Sequence, residues 1–153
     1  YKGLSLSAAF TGVSGYDVLN TNIRYEQTPS RQTANLYQKV YDQIWTAENP
    51  SNLYPRSTYK MPDVVMDRYI ENASYLRCSD ITLNYVLPDK WMKKIGFRTT
   101  SLFASVKNAF VITDYSGYDP EVNSFAFDGL RPGIDMSSFP NMRSFIFGIN
   151  VNF

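Results

Sequence analysis

The sequence predicts an all-β fold built from four antiparallel strands, with two long connections and one short one between them. Three observations carry that expectation. Four stretches alternate apolar and polar residues with period two. Aromatics reach 16% of the 153 residues while charged residues fall to 19%, against roughly 25% charged in an ordinary domain. The connections run long, short, long. Alternation of this kind describes a soluble β-sandwich whose apolar faces meet in a core. It equally describes an outer-membrane β-barrel whose apolar face meets lipid, and period alone does not separate the two.

Each strand can be read in turn. Leu4, Leu6, Ala8 and Phe10 alternate with Ser5, Ser7, Ala9 and Thr11. Ile81, Leu83, Tyr85 and Leu87 alternate with Asp80, Thr82, Asn84 and Val86, and Pro88 ends the run. Leu102, Ala104 and Val106 alternate with Ser101, Phe103, Ser105 and Lys107. Asn108 then falls on the apolar parity before Phe110 and Ile112. Either a bulge or emergence from the apolar zone accounts for that stumble. The last stretch is the clearest: Phe145, Phe147, Ile149, Val151 and Phe153 share one parity, with Ile146 the one apolar intruder on the other. These runs exceed the usual five or six residues of a strand in water and approach the roughly ten that cross a bilayer.

The connections follow a matching order. Pro88–Gly96 is short and holds turn residues, whereas Gly12–Ser74 and Asp114–Met142 run for dozens of residues. Short periplasmic turns and long extracellular loops alternate in this way around a barrel. In the first long connection Leu36, Val40 and Ile44 form one stripe of a short helix that Pro50 stops. Polar, proline-bearing stretches at Gln27–Thr33 and Asn49–Pro62 read as loop. The chain neither begins with Met nor shows a signal peptide, so it is expected to be a piece of something larger.

Composition narrows the chemistry. A net charge of +1 gives no electrostatic case for nucleic acid. The absence of histidine removes histidine-based catalysis and histidine metal sites. A single cysteine, Cys78, excludes an internal disulfide and a thiolate cluster. Ala109–Ile112 is the longest apolar run, too short for a transmembrane helix.

Some side chains could nonetheless carry function. Asp114, Asp119, Glu121 and Asp128 gather before the last strand. Paired carboxylates can cleave glycosides and oxygen ligands can hold calcium, but the spacing does not fit an EF-hand, and loop shaping is the expected role. Neither a catalytic residue nor a cofactor or metal site is expected. Tyr115, Tyr118, Phe125 and Phe127 in the same connection are candidate contacts to a substrate or a lipoprotein, with self-packing of the loop as the alternative. Tyr85 and Trp91 suit an interfacial aromatic girdle. Lys107 sits on the polar parity, Cys78 reads as a small packing residue, and the Asn72-Ala73-Ser74 sequon reads as chance.

Several stretches together resemble the C-terminal part of the SusC/RagA-type TonB-dependent outer-membrane transporters of the Bacteroidetes. They are YKG at Tyr1–Gly3, GYDVLN at Gly15–Asn20, WTAENP at Trp45–Pro50 and YLRCSDITLNYVLP at Tyr75–Pro88. KNAF at Lys107–Phe110, YSGYDPEV at Tyr115–Val122 and PNMRSFIFGINVNF at Pro140–Phe153 complete the series. Cys78 and Asn84 depart from the usual pattern. The resemblance implies the last four antiparallel strands of a 22-stranded transmembrane β-barrel, with two extracellular loops of which the first holds a short helix. It also implies import of oligosaccharides or peptides, energised through TonB. The implied partners are the remainder of the barrel and its plug, a SusD-type surface lipoprotein, outer-membrane lipid and, through the absent plug region, TonB. On that reading Leu4, Leu6, Phe10, Ile81, Leu83, Tyr85, Leu102, Val106, Phe145, Phe147, Ile149 and Val151 face lipid, and Phe153 serves as an assembly signal. The competing expectation is a soluble β-sandwich that binds carbohydrate through exposed aromatics.

Overall fold

The computed structural model describes residues 2–27, 35–57 and 64–153. In chain order the elements are β1 (Leu4–Val13), β2 (Asp17–Asn20), α1 (Thr21–Gln27), α2 (Gln38–Asp42) and a 3-10 turn at Asp67–Tyr69. There follow β3 (Ile70–Asn72), β4 (Tyr75–Val86), α3 (Asp89–Met92) with a 3-10 turn at Lys93–Ile95, β5 (Thr99–Thr113), β6 (Ile134–Asp135) and β7 (Ser144–Asn152). They fall into two units, Tyr1–Ser14 with Ser74–Asp114 and Asn141–Phe153, and Gly15–Ala73 with Tyr115–Pro140.

The first unit is a four-stranded sheet in the order β1-β4-β5-β7, every pair antiparallel. Its register puts like with like. Leu4, Tyr85, Leu102 and Ile149 form one cross-strand row, and Leu6, Leu83, Ala104 and Phe147 the next. Ala8, Ile81, Val106 and Phe145 make a third. The alternate rows are Ser5-Asn84-Phe103-Gly148, Ser7-Thr82-Ser105-Ile146 and Ala9-Asp80-Lys107-Ser144. Cross-strand neighbours of one kind are the unit of sheet stabilisation. Here they sort the sheet into one apolar and one mostly polar face. Gly148 has a steric reason: a Cβ there would fall 2.3 Å from the Phe103 ring, which lies across the bare backbone.

A bulge interrupts the ladder. Cys78 pairs with Phe10 and Phe110, and Asp80 with Ala9 and Lys107. Ser79 is therefore extra on β4, and Asn108 and Ala109 are extra on β5. One inserted residue reverses parity, so Leu76 and Cys78 join the apolar face although they share the parity of Asp80. Two insertions restore it, which keeps Phe110 on that face with Phe10, the rings edge-on at 6.4 Å. Between them Cys78 is fully buried, a packing role in a sheet that otherwise hides little. Asn108 adopts φ 51°, and its amide donates to the Met142 carbonyl at 2.9 Å. The stumble in the alternation is thus a bulge.

The second unit replaces two expected loops. β2 pairs antiparallel with β3 and parallel with β6, giving the order β3-β2-β6. Val18, Ala73 and Tyr115 form its core with Tyr16 against them. The short helix foreseen from Leu36, Val40 and Ile44 is α2, with Val40 fully buried. Ile44 instead bridges to Tyr54. α1 was not foreseen, because Thr21–Gln27 lacks an apolar stripe and buries only Ile23. The loops expected at Gln27–Thr33 and Asn49–Pro62 lie in part outside the described residues. The short connection Pro88–Gly96 folds as α3 and its 3-10 turn, closed by Gly96 at φ 82°.

These observations correct the expected fold class. Among the described residues helix makes up 16% and strand 41%, so the fold is mixed α/β rather than all-β. Its sheets are open: β1 and β7 are the outer strands of a four-stranded sheet. They do not close into a 22-stranded transmembrane barrel, and four strands enclose no lumen. The apolar face of the four-stranded sheet stays largely exposed among the described residues: Leu6 is 70% exposed, Phe147 76% and Ile149 66%. No described helix is long and apolar enough to cross a membrane.

Asn108→Val is expected to destabilise the protein by about 1–2 kcal/mol more than Asn108→Gly, because a β-branched residue resists the left-handed backbone. Both variants lose the bond to Met142, so the comparison isolates the backbone. Denaturant midpoints of the full-length protein measure it.

Candidate functional site

Two surfaces stand out, one in each unit. In the first, every residue expected to face lipid lies on the same apolar face. From Leu76 to Tyr85 the face runs for about 30 Å at about 3.3 Å per residue, and four strands at about 4.8 Å make it about 14 Å wide. Exposed apolar patches on monomers rarely exceed a few hundred Å², and larger ones mark contact with another protein or a membrane. The opposite face is self-satisfied where it is most polar. Thr82 and Ser105 hydroxyls donate to the two carboxylate oxygens of Asp80 at 2.8 and 2.9 Å. Lys107 lies on this face beside Asp80.

Phe153 follows β7 and is 83% exposed, yet its ring stands edge-on to Phe97 at 5.3 Å. Trp91 is exposed on α3, while Tyr85 is half-buried in the first apolar row.

In the second unit the candidate aromatics divide. Tyr115 is buried, and its hydroxyl donates to Asp135 at 2.8 Å. Burial first, and then the Asp135 carboxylate, push the Tyr115 hydroxyl far above the usual tyrosine range. Gly117 is pressed against the same ring, where a Cβ would come within 2.4 Å. Tyr115 therefore holds the fold rather than a ligand. Phe125 is half-buried, packed at 6.2 Å from Phe127 and covered by Arg131 at 4.8 Å. Tyr118 and Phe127 are 80% and 87% exposed.

The acidic residues of this region shape turns. Asp119 is buried and accepts the Glu121 amide at 3.0 Å. Asp128 accepts the Leu130 amide at 3.0 Å and pairs with Arg131 at 2.8 Å. Asp114 belongs to the other unit and is exposed. Among the described residues no three His, Cys, Asp or Glu gather as a metal site would need.

A polar network was missed from sequence. Buried Asn20 donates to Glu71 at 3.0 Å and accepts the Asn22 amide at 3.1 Å, capping α1. Ser116 donates to Glu71 at 2.7–2.8 Å. Thr21 donates to the Asp135 carbonyl at 2.7 Å, and the Ser138 amide donates to its carboxylate at 3.1 Å. Asn20 directly before Thr21–Gln27 was a legible cap signal. Its partners Glu71 and Ser116 lie 51 and 96 residues away and were not.

No family model matches the chain. It is 29% identical to "TonB-dependent receptor P3" of Formosa agariphila over all of this chain and 15% of that protein. It is 38% identical to "TonB-dependent receptor SusC" of Bacteroides thetaiotaomicron over 60% of this chain and 8% of that protein. The RagAB peptide transporter superposes with a TM-score of 0.84 at 24% identity, over 99% of this chain and 16% of that one. The "open-open" RagAB peptide importer does so with 0.76 at 25% identity, over 100% and 16%. The chain thus spans about a sixth of the length of its full-coverage relatives. It is similar to TonB-dependent receptors along its whole length, and its fold matches a part of the RagAB structures.

Tyr115→Phe is expected to cost about 1–3 kcal/mol by leaving Asp135 short of a buried donor. The raised Tyr115 value means that its contribution is full below pH 10, the ordinary tyrosine value, and is lost as pH rises beyond it. Denaturation of the full-length protein between pH 7 and 11 should show that loss in the parent and a flatter profile in the variant.

Proposed function

We propose that this chain is a carbohydrate-contacting C-terminal portion of a SusC/RagA-type protein, held at the outer membrane by the apolar face of its four-stranded sheet. The open sheet corrects the expectation of a segment of an outer-membrane active transporter that imports oligosaccharides or peptides with a SusD-type lipoprotein, energised through TonB. A binding role fits the geometry better. The observation that carries it is the combination, in one unit, of a closed hydrogen-bonded polar framework with two aromatic rings, Tyr118 and Phe127, left in solvent. Planar rings on a rigid base are apt for the apolar faces of sugars, much as aromatics serve other stacking ligands.

The sheet supports the attachment half of the proposal. Leu4, Leu6, Phe10, Ile81, Leu83, Tyr85, Leu102, Val106, Phe145, Phe147, Ile149 and Val151 present hydrocarbon on one face, which lipid satisfies without a polar partner. The outer edges of β1 and β7 suit pairing with the remainder of the same protein, since unpaired backbone groups in hydrocarbon cost several kcal/mol each. The plug, a SusD-type lipoprotein and TonB complete the proposed partners.

Two outcomes are expected. Isothermal titration of the full-length protein with neutral oligosaccharides should show saturable binding that Tyr118→Ala with Phe127→Ala removes. No saturable binding, a preference for a peptide, or binding that survives both replacements contradicts the reading. Phe153→Ala should remove a ring pair worth about 0.5–1.5 kcal/mol and lower the amount of full-length protein recovered in the outer membrane. An unchanged amount ends the assembly role of Phe153.

A further inference from the structure

Resting on the carbohydrate reading above, we infer that a small cavity beside Tyr118 is a subsite for the hydroxyl-bearing edge of a neutral sugar, and that it rejects acidic ones. Asn20, Asn22, Glu26, Tyr37, Ser116 and Tyr118 line this cavity of about 100 Å³. That is about three water volumes at about 30 Å³ each, room for a hydroxymethyl group or a pair of ring hydroxyls and too little for a whole sugar. The rest of the sugar lies outside, where the exposed Tyr118 ring offers a stacking face.

The lining is built rather than incidental. Asn20 is fixed by Glu71 and by the α1 cap, and Ser116 is fixed by the same carboxylate. The Asn22 side-chain oxygen accepts from Ser137 at 2.6 Å. Tyr37 is hydrogen-bonded to Glu26, whose charge raises the Tyr37 hydroxyl above its ordinary value. The cavity therefore offers amide, hydroxyl and carboxylate groups in set positions, the mixture that hydroxyls bind as both donor and acceptor. Its charge sets the selectivity. Glu26 is in the wall, Glu71 stands one hydrogen bond behind it, and among the described lining residues there is no Lys or Arg, the Lys39 ammonium lying 5.9 Å from the ring centroid of Tyr37. A uronate placed there would bring a second or third negative charge beside the Glu26 and Glu71 carboxylates in a partly enclosed site.

Maltotriose and trigalacturonate are the probes, titrated into the full-length protein. Maltotriose is expected to bind and trigalacturonate to bind at least tenfold more weakly. Tyr118→Ala should weaken maltotriose at least tenfold. Glu26→Gln, close to isosteric, should narrow the difference between the probes at least threefold. Phe139→Ala, another exposed aromatic of this unit outside the cavity, should change neither. Equal or tighter binding of trigalacturonate, or maltotriose binding unmoved by Tyr118→Ala, overturns the subsite while leaving carbohydrate binding through Phe127 in place. Absence of binding to every oligosaccharide by the parent protein overturns both.

Discussion

One constraint governs the rest of this chain: a single-layer sheet presents an apolar face that stays largely exposed among the described residues. In an ordinary domain that face would be pressed against a second layer, and burial at about 25 cal/mol per Å² would supply much of the stability. Here Leu6, Phe147 and Ile149 stay largely exposed in the folded chain. The hydrophobic term must come from surroundings that the chain does not itself provide. In the proposed outer-membrane setting, hydrocarbon would do so without asking for shape complementarity, and an alternating strand rich in Phe, Leu and Ile would suffice. The sharpness of the alternation then has a cause. Any slip of register by one residue would turn Ser, Asn and Asp toward that environment.

The polar side shows the complementary economy. Asp80 is held by two hydroxyls, Thr82 on its own strand and Ser105 on the neighbouring one, so its charge sits within a network instead of against the apolar layer. In the second unit the same logic is applied to a small core. Val18, Ala73 and Tyr115 bury little area, and fixed polar contacts add to what they contribute. Asn20, Glu71 and Ser116 join segments far apart in sequence, and Asp135 receives Tyr115 and the Ser138 amide. A framework pinned by hydrogen bonds can leave aromatic rings outside without collapsing onto them. That separation of supporting residues from displayed ones is what the proposed binding role rests on.

How much of this was legible in the sequence depends on the range of the interaction concerned. The strands were, because period two is a local signal: Leu4–Phe10, Ile81–Tyr85, Leu102–Val106 and Phe145–Val151 all fall within observed strands on one face. The half of β4 before Asp80 was not, because the bulge at Ser79 reverses parity and breaks the pattern being counted. The long connections were misread as loops for a different reason. β2, β3 and β6 have only two to four residues each, and β2 meets β6 more than a hundred positions later. Strands that short carry no periodicity. Tyr115 was misread too: as a residue type it suits a ligand platform, and only its distant partner Asp135 shows that it is a strut. The closed barrel inferred from resemblance is not what the chain forms: β1 and β7 are the outer strands of an open four-stranded sheet.

The most direct measurement compares two neighbours on β7 whose side chains leave opposite faces. Nitroxide labels are placed at Phe147→Cys or Ile146→Cys in the full-length protein carrying Cys78→Ser, reconstituted in lipid. Relaxation by dissolved oxygen, which concentrates in hydrocarbon, is read against relaxation by a water-soluble paramagnetic complex. The label at 147 should respond chiefly to oxygen and the label at 146 chiefly to the aqueous complex. If both respond alike, or if the aqueous complex reaches 147 as readily as 146, the apolar face is not met by hydrocarbon and the account fails.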